Sequence, residues 1–191
     1  MARLAARIPA YRAHERQRAG DYQQALALYD ESIALYAGAG ALCERSYVLG
    51  HLQRHDEAFA DIKLALSKVR DHRYCLDRAA AAAAGAKNPL DAIAVMNLVI
   101  EADPAAVHAF NQRGWRHQQL GKLELAYQDY LASARLGDAW AQLMTGKLLW
   151  AGTGVSENRD EALEWLRKSA EQGNADARTC LEQALQQLGK K

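Results

Sequence analysis

The chain has 191 residues, and its 24 lysines and arginines offset 23 aspartates and glutamates to give a formal net charge of +1. Half of the residues are hydrophobic while proline occurs only three times, which favours helix and fits one compact domain or one short repeat array. The near-neutral charge argues against a nucleic-acid or anionic-membrane partner, because binding to either needs a net basic surface.

Cysteine usage and the lack of long apolar runs predict a cytoplasmic protein. No stretch approaches the ~18 uncharged apolar residues of a membrane span. The first 20 residues carry five arginines and no apolar run, so no secretory signal is visible. Cys43, Cys75 and Cys180 have neither the number nor the spacing of a disulfide framework or a four-ligand zinc site. We therefore predict a soluble protein of a reducing compartment, with no cofactor and no metal.

A recurring alanine sets the organisation of the chain. Ala25, Ala58, Ala92 and Ala126 follow one another at steps of 33, 34 and 34 residues, and Ala162 follows after another 36. Four positions after each of the first four comes a bulky residue, and three positions further comes a small or medium one. These spacings place the three residues on one helix face, as a buried stripe requires. The bulky residues are Tyr29, Ile62, Met96 and Tyr130, and the smaller ones are Ser32, Ala65, Val99 and Ser133.

Each of these alanines lies in the second helix of a predicted helical hairpin. The first helix lies upstream, and short helix breakers separate the two. In the third repeat the first helix contains six consecutive alanines, Ala79 to Ala84, which we interpret as helix because alanine is the best helix former. In chain order the breakers are Gly20-Asp21, Arg54-His55-Asp56, Asn88-Pro89 and Gly121-Lys122.

The repeat resembles the tetratricopeptide repeat. The resemblance is carried by the 34-residue step, the Gly20-Asp21-Tyr22 turn, the alanine stripe and the closing Asp103-Pro104. The segment from Phe110 to Tyr130 is the closest copy of the pattern. The resemblance covers about residues 6 to 137 and implies four repeats, at about 6–38, 39–72, 73–106 and 107–137.

Residues 138–174 follow a different pattern, which resembles a Sel1-like repeat, a longer relative of the same hairpin. Residues 175–191 are interpreted as a capping helix and tail. Together the two resemblances imply an all-α fold, a right-handed superhelical solenoid of antiparallel helix hairpins with about 11 helices. The Sel1-like pieces are Ala141-x4-Gly146, Gly152-Thr153-Gly154-Val155, Asp160-Glu161-Ala162, Trp165 and Ala170-Glu171-Gln172-Gly173.

No group of residues indicates an active site. The Gly152-Thr153-Gly154 loop lacks the preceding strand and the lysine of a phosphate-binding loop. His51 and His55 have metal-ligand spacing, but the hairpin turn falls between them and no third ligand follows. Paired carboxylates such as Asp56-Glu57 lie at helix starts, where they interact favourably with the helix dipole. We predict that the chain is not an enzyme.

Two arginine–aspartate pairs recur at equivalent repeat positions. Arg45 and Arg113 share a first-helix position, and Asp61 and Asp129 lie three residues after their repeat alanines. In the third repeat both positions lose their charge together. Because a half-buried arginine without a partner is costly, we predict structural ion pairs Arg45–Asp61 and Arg113–Asp129 between the two helices of a hairpin.

The first helices of such a solenoid line its concave groove, so their unburied side chains are candidate partner-binding residues. Aromatic, amide and arginine side chains are typical of interfaces, because they combine contact area with hydrogen bonding. Trp115 is the strongest candidate, and the alternative is that it packs against the next repeat. The candidates are Tyr11, His14, Arg18, Tyr47, His51, Tyr74, Arg78, His108, Asn111, Gln112, Trp115 and Gln119, with Cys43 and Glu44 counted on the same wall.

We therefore predict a non-catalytic protein–protein interaction module that binds a protein or peptide in its groove. Alanine- and arginine-rich repeats with a Sel1-like unit suggest a bacterial adaptor or scaffold. One alternative is an immunity protein that neutralises a secreted bacterial effector. Another is a structural protein that self-associates as a homodimer through its N-terminal hairpin, where Leu4, Ile8 and Tyr11 lie. Neither a nucleic acid nor a membrane is predicted as a partner.

Overall fold

The regular structure in the described part of the chain is helical throughout. The computed structural model describes residues 2–68, 75 and 88–189. The predicted all-α class is confirmed, while the alanine-rich first helix predicted for the third repeat lies outside the described residues. The helices are α1 (Ala2–Ala5), α2 (Arg7–Arg18), α3 (Tyr22–Leu35), α4 (Ala39–His51), α5 (His55–Lys68), α6 (Pro89–Ala102), α7 (Val107–Gln119), α8 (Leu123–Arg135), α9 (Ala139–Ala151), α10 (Arg159–Glu171) and α11 (Ala175–Gly189).

The helices pack as sequential hairpins. Helix α2 packs with α3, α4 with α5, α7 with α8, and α9 with α10, and α11 packs on α10. The contacts divide the chain into two compact units, unit 1 (Met1–Pro104) and unit 2 (Ala105–Lys191). Within the described ranges, none of the helices has both the length and the hydropathy needed to cross a membrane.

The turns between paired helices depend on a left-handed backbone position. Gly20 and Gly121 have φ angles of 78° and 70° at equivalent places in repeats one and four. Glycine adopts such angles without a steric penalty. Gln53 occupies the corresponding place between α4 and α5 with a φ of 60°. A side chain in this region costs roughly 1 kcal/mol, so the second hairpin closes with a strained turn.

The repeat alanines and the residues on the same helix face form the core. Ala25, Ala58, Ala92, Ala126 and Ala162 are each at most 1% exposed. Because alanine lets two helices approach closely, the larger residues beside it fill the remaining space. Every other residue of the predicted stripe is also buried, namely Tyr29, Ile62, Met96, Tyr130, Ser32, Ala65, Val99 and Ser133.

Hydroxyl groups on the stripe connect second helices to first helices. Tyr29 donates to the side-chain oxygen of Gln17 at 2.9 Å, and Tyr130 donates to that of Gln118 at 3.0 Å. In the same two repeats the stripe serine donates to a backbone carbonyl near the start of the first helix. Burial raises the pKa of Tyr130 to about 12, so its hydroxyl remains a donor at neutral pH. Repeats one and four therefore share the same polar links.

The structure brings the two predicted arginine–aspartate pairs together. Nε of Arg45 lies 2.7 Å from Oδ2 of Asp61, and its Nη2 lies 2.6 Å from Oδ1. Nε of Arg113 lies 3.0 Å from Oδ2 of Asp129. The hydrogen-bonded Asp61 carboxylate raises the pKa of Arg45 above its ordinary value. Nη1 of Arg45 also lies 2.7 Å from Oδ1 of Asp30 on α3, so this arginine connects α4 to both neighbouring helices.

Unit 1 contains a disulfide bond, which corrects the expectation from cysteine number and spacing. Cys43 and Cys75 are joined, their Cα atoms lie 5.5 Å apart, and both are fully buried. Cys43 is therefore a core residue and does not line the predicted groove. The two cysteines are 32 residues apart in sequence, close to one repeat period, and residues one period apart approach each other where repeats stack. Cys180 is a free thiol.

Removing the buried carboxylate of the Arg45 cluster is expected to destabilise unit 1 more than removing the exposed one. Asp61→Asn takes away the buried partner and should cost about 2 to 4 kcal/mol of unfolding free energy. The matched variant Asp30→Asn removes an exposed carboxylate and should cost less than about 1 kcal/mol. Urea unfolding followed by circular dichroism measures both, and equal losses would contradict the assignment of Asp61 as the main partner.

The disulfide is expected to stabilise unit 1 by closing a loop of 32 residues. Restricting the unfolded chain over this length corresponds to roughly 3 to 4 kcal/mol. Cys43→Ser should therefore lower the midpoint of thermal unfolding, while the control Cys180→Ser should leave it unchanged. Alkylation of the denatured protein should modify one cysteine before reduction and all three after reduction. Three modified cysteines before reduction would show that the bond does not form.

Candidate partner-binding surfaces

The predicted partner-binding residues fall on two surfaces, one in each unit. The unit-1 face consists of Tyr11, His14 and Arg18 on α2 and Tyr47 and His51 on α4. The unit-2 face consists of His108, Asn111, Gln112, Trp115 and Gln119, all on α7. Two further predicted residues, Tyr74 and Arg78, lie outside the described residues.

A polar network joins α2 to α4 beside the unit-1 face. Glu44 on α4 accepts a hydrogen bond from Nε2 of Gln17 at 3.0 Å, and its carboxylate lies 4.0 Å from Nδ1 of His14. Gln17 in turn accepts the hydrogen bond of the buried Tyr29 hydroxyl. Because this chain of bonds runs from the core to the surface, it fixes the spacing of the two first helices.

Three aromatic rings lie together at the C-terminal end of α4. The His51 ring stacks on Tyr22, with centroids 4.4 Å apart and planes 5° apart. The Tyr47 ring meets His51 edge to face at the same centroid distance. His51 therefore belongs to an aromatic cluster, while His55 hydrogen-bonds the Gln53 side chain at 3.1 Å. Across the part of the chain that the structure describes, no cluster of histidine, cysteine and acidic residues is arranged to hold a metal.

Trp115 presents a large apolar surface on the unit-2 face. Its side chain is 42% exposed. The guanidinium carbon of Arg116 lies 4.5 Å from the ring centroid, and Nη1 of Arg116 donates to Oε1 of Gln119 at 3.1 Å. Arg116 is buried, and the resulting desolvation lowers its pKa. The indole ring is thus supported by a neighbouring side chain while much of it faces solvent.

Asn111 takes part in a contact between two helices of unit 2. Its Nδ2 donates to Oδ1 of Asp138 at 3.0 Å. The same carboxylate oxygen accepts the backbone N–H of Ala141 at 2.8 Å and so caps α9. Oδ1 of Asn111 is buried and has no hydrogen-bond partner among the described residues. Asn111 therefore has a structural role in tying α7 to the start of α9.

Helix α9 contributes side chains that the sequence pattern did not indicate. Trp140 is 40% exposed and meets the buried Tyr130 ring edge to face at 5.3 Å, and Lys147 is exposed. The small first-helix residues Gly114 and Gly146 are equivalent and 32 residues apart. Applied to the unit-2 face, this offset assigns to it Trp140, Met144 and Lys147 as the counterparts of His108, Gln112 and Trp115.

The glycine loop between α9 and α10 has a packing role. A Cβ atom on Gly154 would lie 2.4 Å from the backbone carbonyl of Leu123, at the start of α8. Gly154 also has a φ of 71°, which disfavours any side chain. The loop therefore needs glycine here to pack against α8, which accounts for the residue without a phosphate ligand.

One family model matches part of the chain. The Sel1 repeat model matches residues 141–174, within the segment predicted from the sequence to be a Sel1-like repeat. No curated protein matches the chain.

Solved structures of repeat proteins share the fold. A structure of MamA protein has a TM-score of 0.71 at 16% identity and covers 91% of this chain and 94% of its own. YrrB, described as a TPR protein with an unusual peptide-binding site, has a TM-score of 0.66 at 21% identity, covering 92% and 90%. A Sel1 repeat protein from Oxalobacter formigenes has a TM-score of 0.54 at 19% identity, covering 90% and 75%. The chain therefore has the fold of tetratricopeptide-repeat proteins, with a Sel1 repeat at residues 141–174.

Proposed function

We propose that this protein is a non-catalytic interaction module that binds an extended segment of a partner protein on its first-helix faces. The observation that carries the proposal is the unit-2 face, where the exposed Trp115 ring is supported by Arg116 and has Gln112 and Gln119 as neighbours on α7. A large aromatic ring and side-chain amides on one surface are typical of protein interfaces.

The chemistry of the unit-2 face suits a peptide backbone with apolar side chains. The amides of Gln112 and Gln119 offer donors and acceptors to backbone groups. Trp115 and Trp140 offer apolar area at a small entropic cost, because an indole has few rotatable bonds. YrrB, which shares the fold, has a peptide-binding site, and this supports a peptide ligand for the present chain.

The narrower role of a bacterial adaptor or scaffold is part of this proposal. An immunity protein and a self-associating structural protein remain the alternatives. The proposed cytoplasmic location must accommodate the Cys43–Cys75 bond, since disulfides persist most readily in oxidising compartments. Full burial of both cysteines shields the bond from soluble thiols, which is how it would survive in a reducing one.

Trp115→Ala is expected to weaken partner binding by at least about tenfold, as for a central interface aromatic. The matched control is Leu125→Ala on α8, because Leu125 is 41% exposed and belongs to a second helix. The partner is captured from the source organism with the wild-type chain, and its affinity for each variant is then measured by calorimetry. Both variants must first show wild-type helicity and thermal unfolding.

Equal affinity of both variants would remove the unit-2 face from the proposal. If Leu125→Ala alone weakened binding, the second helices would be the binding surface. A wild-type chain that captures nothing but forms larger species at higher concentration in light scattering would favour the self-association alternative.

A further inference from the structure

The first two helices form a nearly continuous rod whose inner side is packed against the hairpin. The backbone N–H of Ala6 donates to the carbonyl of Ala2 at 3.1 Å, and that of Ala10 donates to Ala6 at 3.3 Å, so helical bonding continues between α1 and α2. Ala6, Pro9 and Ala13 are buried. These three residues mark the side of the rod that faces the core.

The opposite side of the rod carries an exposed apolar stripe. Leu4, Ile8 and Tyr11 are 68%, 69% and 69% exposed, the highest values for large hydrophobic residues in the described ranges. Their i, i+4, i+7 spacing places them along one helix face. A contiguous apolar stripe of this kind marks an interaction surface, whereas single exposed apolar residues are ordinary.

Arginines flank the stripe on both sides. At 100° per residue, Arg3 and Arg7 lie along one flank and Arg12 and Arg16 along the other. In the part of the chain that the structure describes, none of these four forms an ion pair. By contrast, Arg45 engages two carboxylates. The rod therefore has a local excess of positive charge, although the whole chain is nearly neutral.

A cavity lies beside the rod and continues the same chemistry. Its volume is about 670 Å³, and no acidic residue lines it. Arg3 and Arg7 stand in its wall together with Leu4 and the Tyr36 ring. A recess that combines two cations with apolar walls fits the side chains of a protein segment better than it fits a flat surface.

We propose that this N-terminal surface, formed by Arg3, Leu4, Arg7, Ile8 and Tyr11, binds an acidic amphipathic segment of a partner protein. The segment places apolar side chains on the stripe and carboxylates one helical turn apart opposite Arg3 and Arg7.

Charge and shape both select this occupant. Symmetric pairing of two copies through the stripe would bring the arginines of both chains together, which is unfavourable. An anionic bilayer would satisfy the arginines but would leave the recess beside Leu4 unfilled. An acidic helix satisfies the arginines and fills the recess, as amphipathic helices do in the grooves that bind them.

The test uses two designed helical peptides with the same leucines at i, i+4 and i+7 spacing. One carries glutamates on both flanks of the leucine face, and the other carries lysines. Binding to the full chain is measured by fluorescence anisotropy at low and physiological salt. The glutamate peptide should bind at least about tenfold more tightly than the lysine peptide, and added salt should weaken it.

Charge reversal locates the site. Arg3→Glu with Arg7→Glu should abolish the preference for the glutamate peptide and create one for the lysine peptide. The control pair Arg167→Glu with Arg178→Glu changes the net charge equally at exposed positions of unit 2 and should leave the preference intact. Trp115→Ala should also leave it intact, so this proposal and the function proposed above fail separately.

Equal binding of the two peptides, or a preference that survives the Arg3 and Arg7 reversal, would overturn the proposal. So would sedimentation with phosphatidylglycerol vesicles at an affinity above that for the glutamate peptide. Concentration-dependent dimerisation that is lost in Leu4→Ser with Ile8→Ser would also overturn it, in favour of a second copy as the occupant.

Discussion

The close approach of two helices at a recurring alanine is the constraint on which the structure depends. Where the side chain is a single methyl group, the partner helix can come near enough for a large neighbour to fill the space beside it. Gly146 carries this furthest, since a Cβ there would lie 2.9 Å from the Leu166 side chain. The first helices are held by this packing, and their outward side chains are the surfaces available to a partner.

Polar groups in the core add specificity to this packing. Arg45 bonds carboxylates on α3 and α5, and Glu44 links α4 to α2. A hydrogen bond has strict requirements of distance and angle, whereas apolar contacts tolerate sliding. These bonds therefore fix the axial register of neighbouring helices. The surface that a partner meets has a defined spacing because the groups beneath it are bonded.

Periodicity made the fold and core predictable from the sequence, because a repeated alanine stripe specifies helix, partner face and neighbour at once. The Arg45–Asp61 spacing was readable for the same reason, as it recurs in repeat four. The disulfide was missed because cysteine counting ignores which residues a repeat period brings together. Asn111 and Trp140 were misjudged because Asp138 and the start of the Sel1 repeat were considered apart from the preceding helix. Surface contacts depend on the neighbouring repeat, and one helix pattern alone does not contain that information.

The repeat architecture also has a kinetic consequence. Hydrogen bonds between side chains of different helices join residues no more than 30 positions apart, such as Gln172 and Gln142, and the arginine–aspartate pairs span 16. Loops this short close quickly, and low contact order is associated with fast folding. Because each hairpin carries its own polar links, more than one hairpin can act as a nucleus. A nascent chain can therefore begin to acquire native contacts before its last helix has been synthesised.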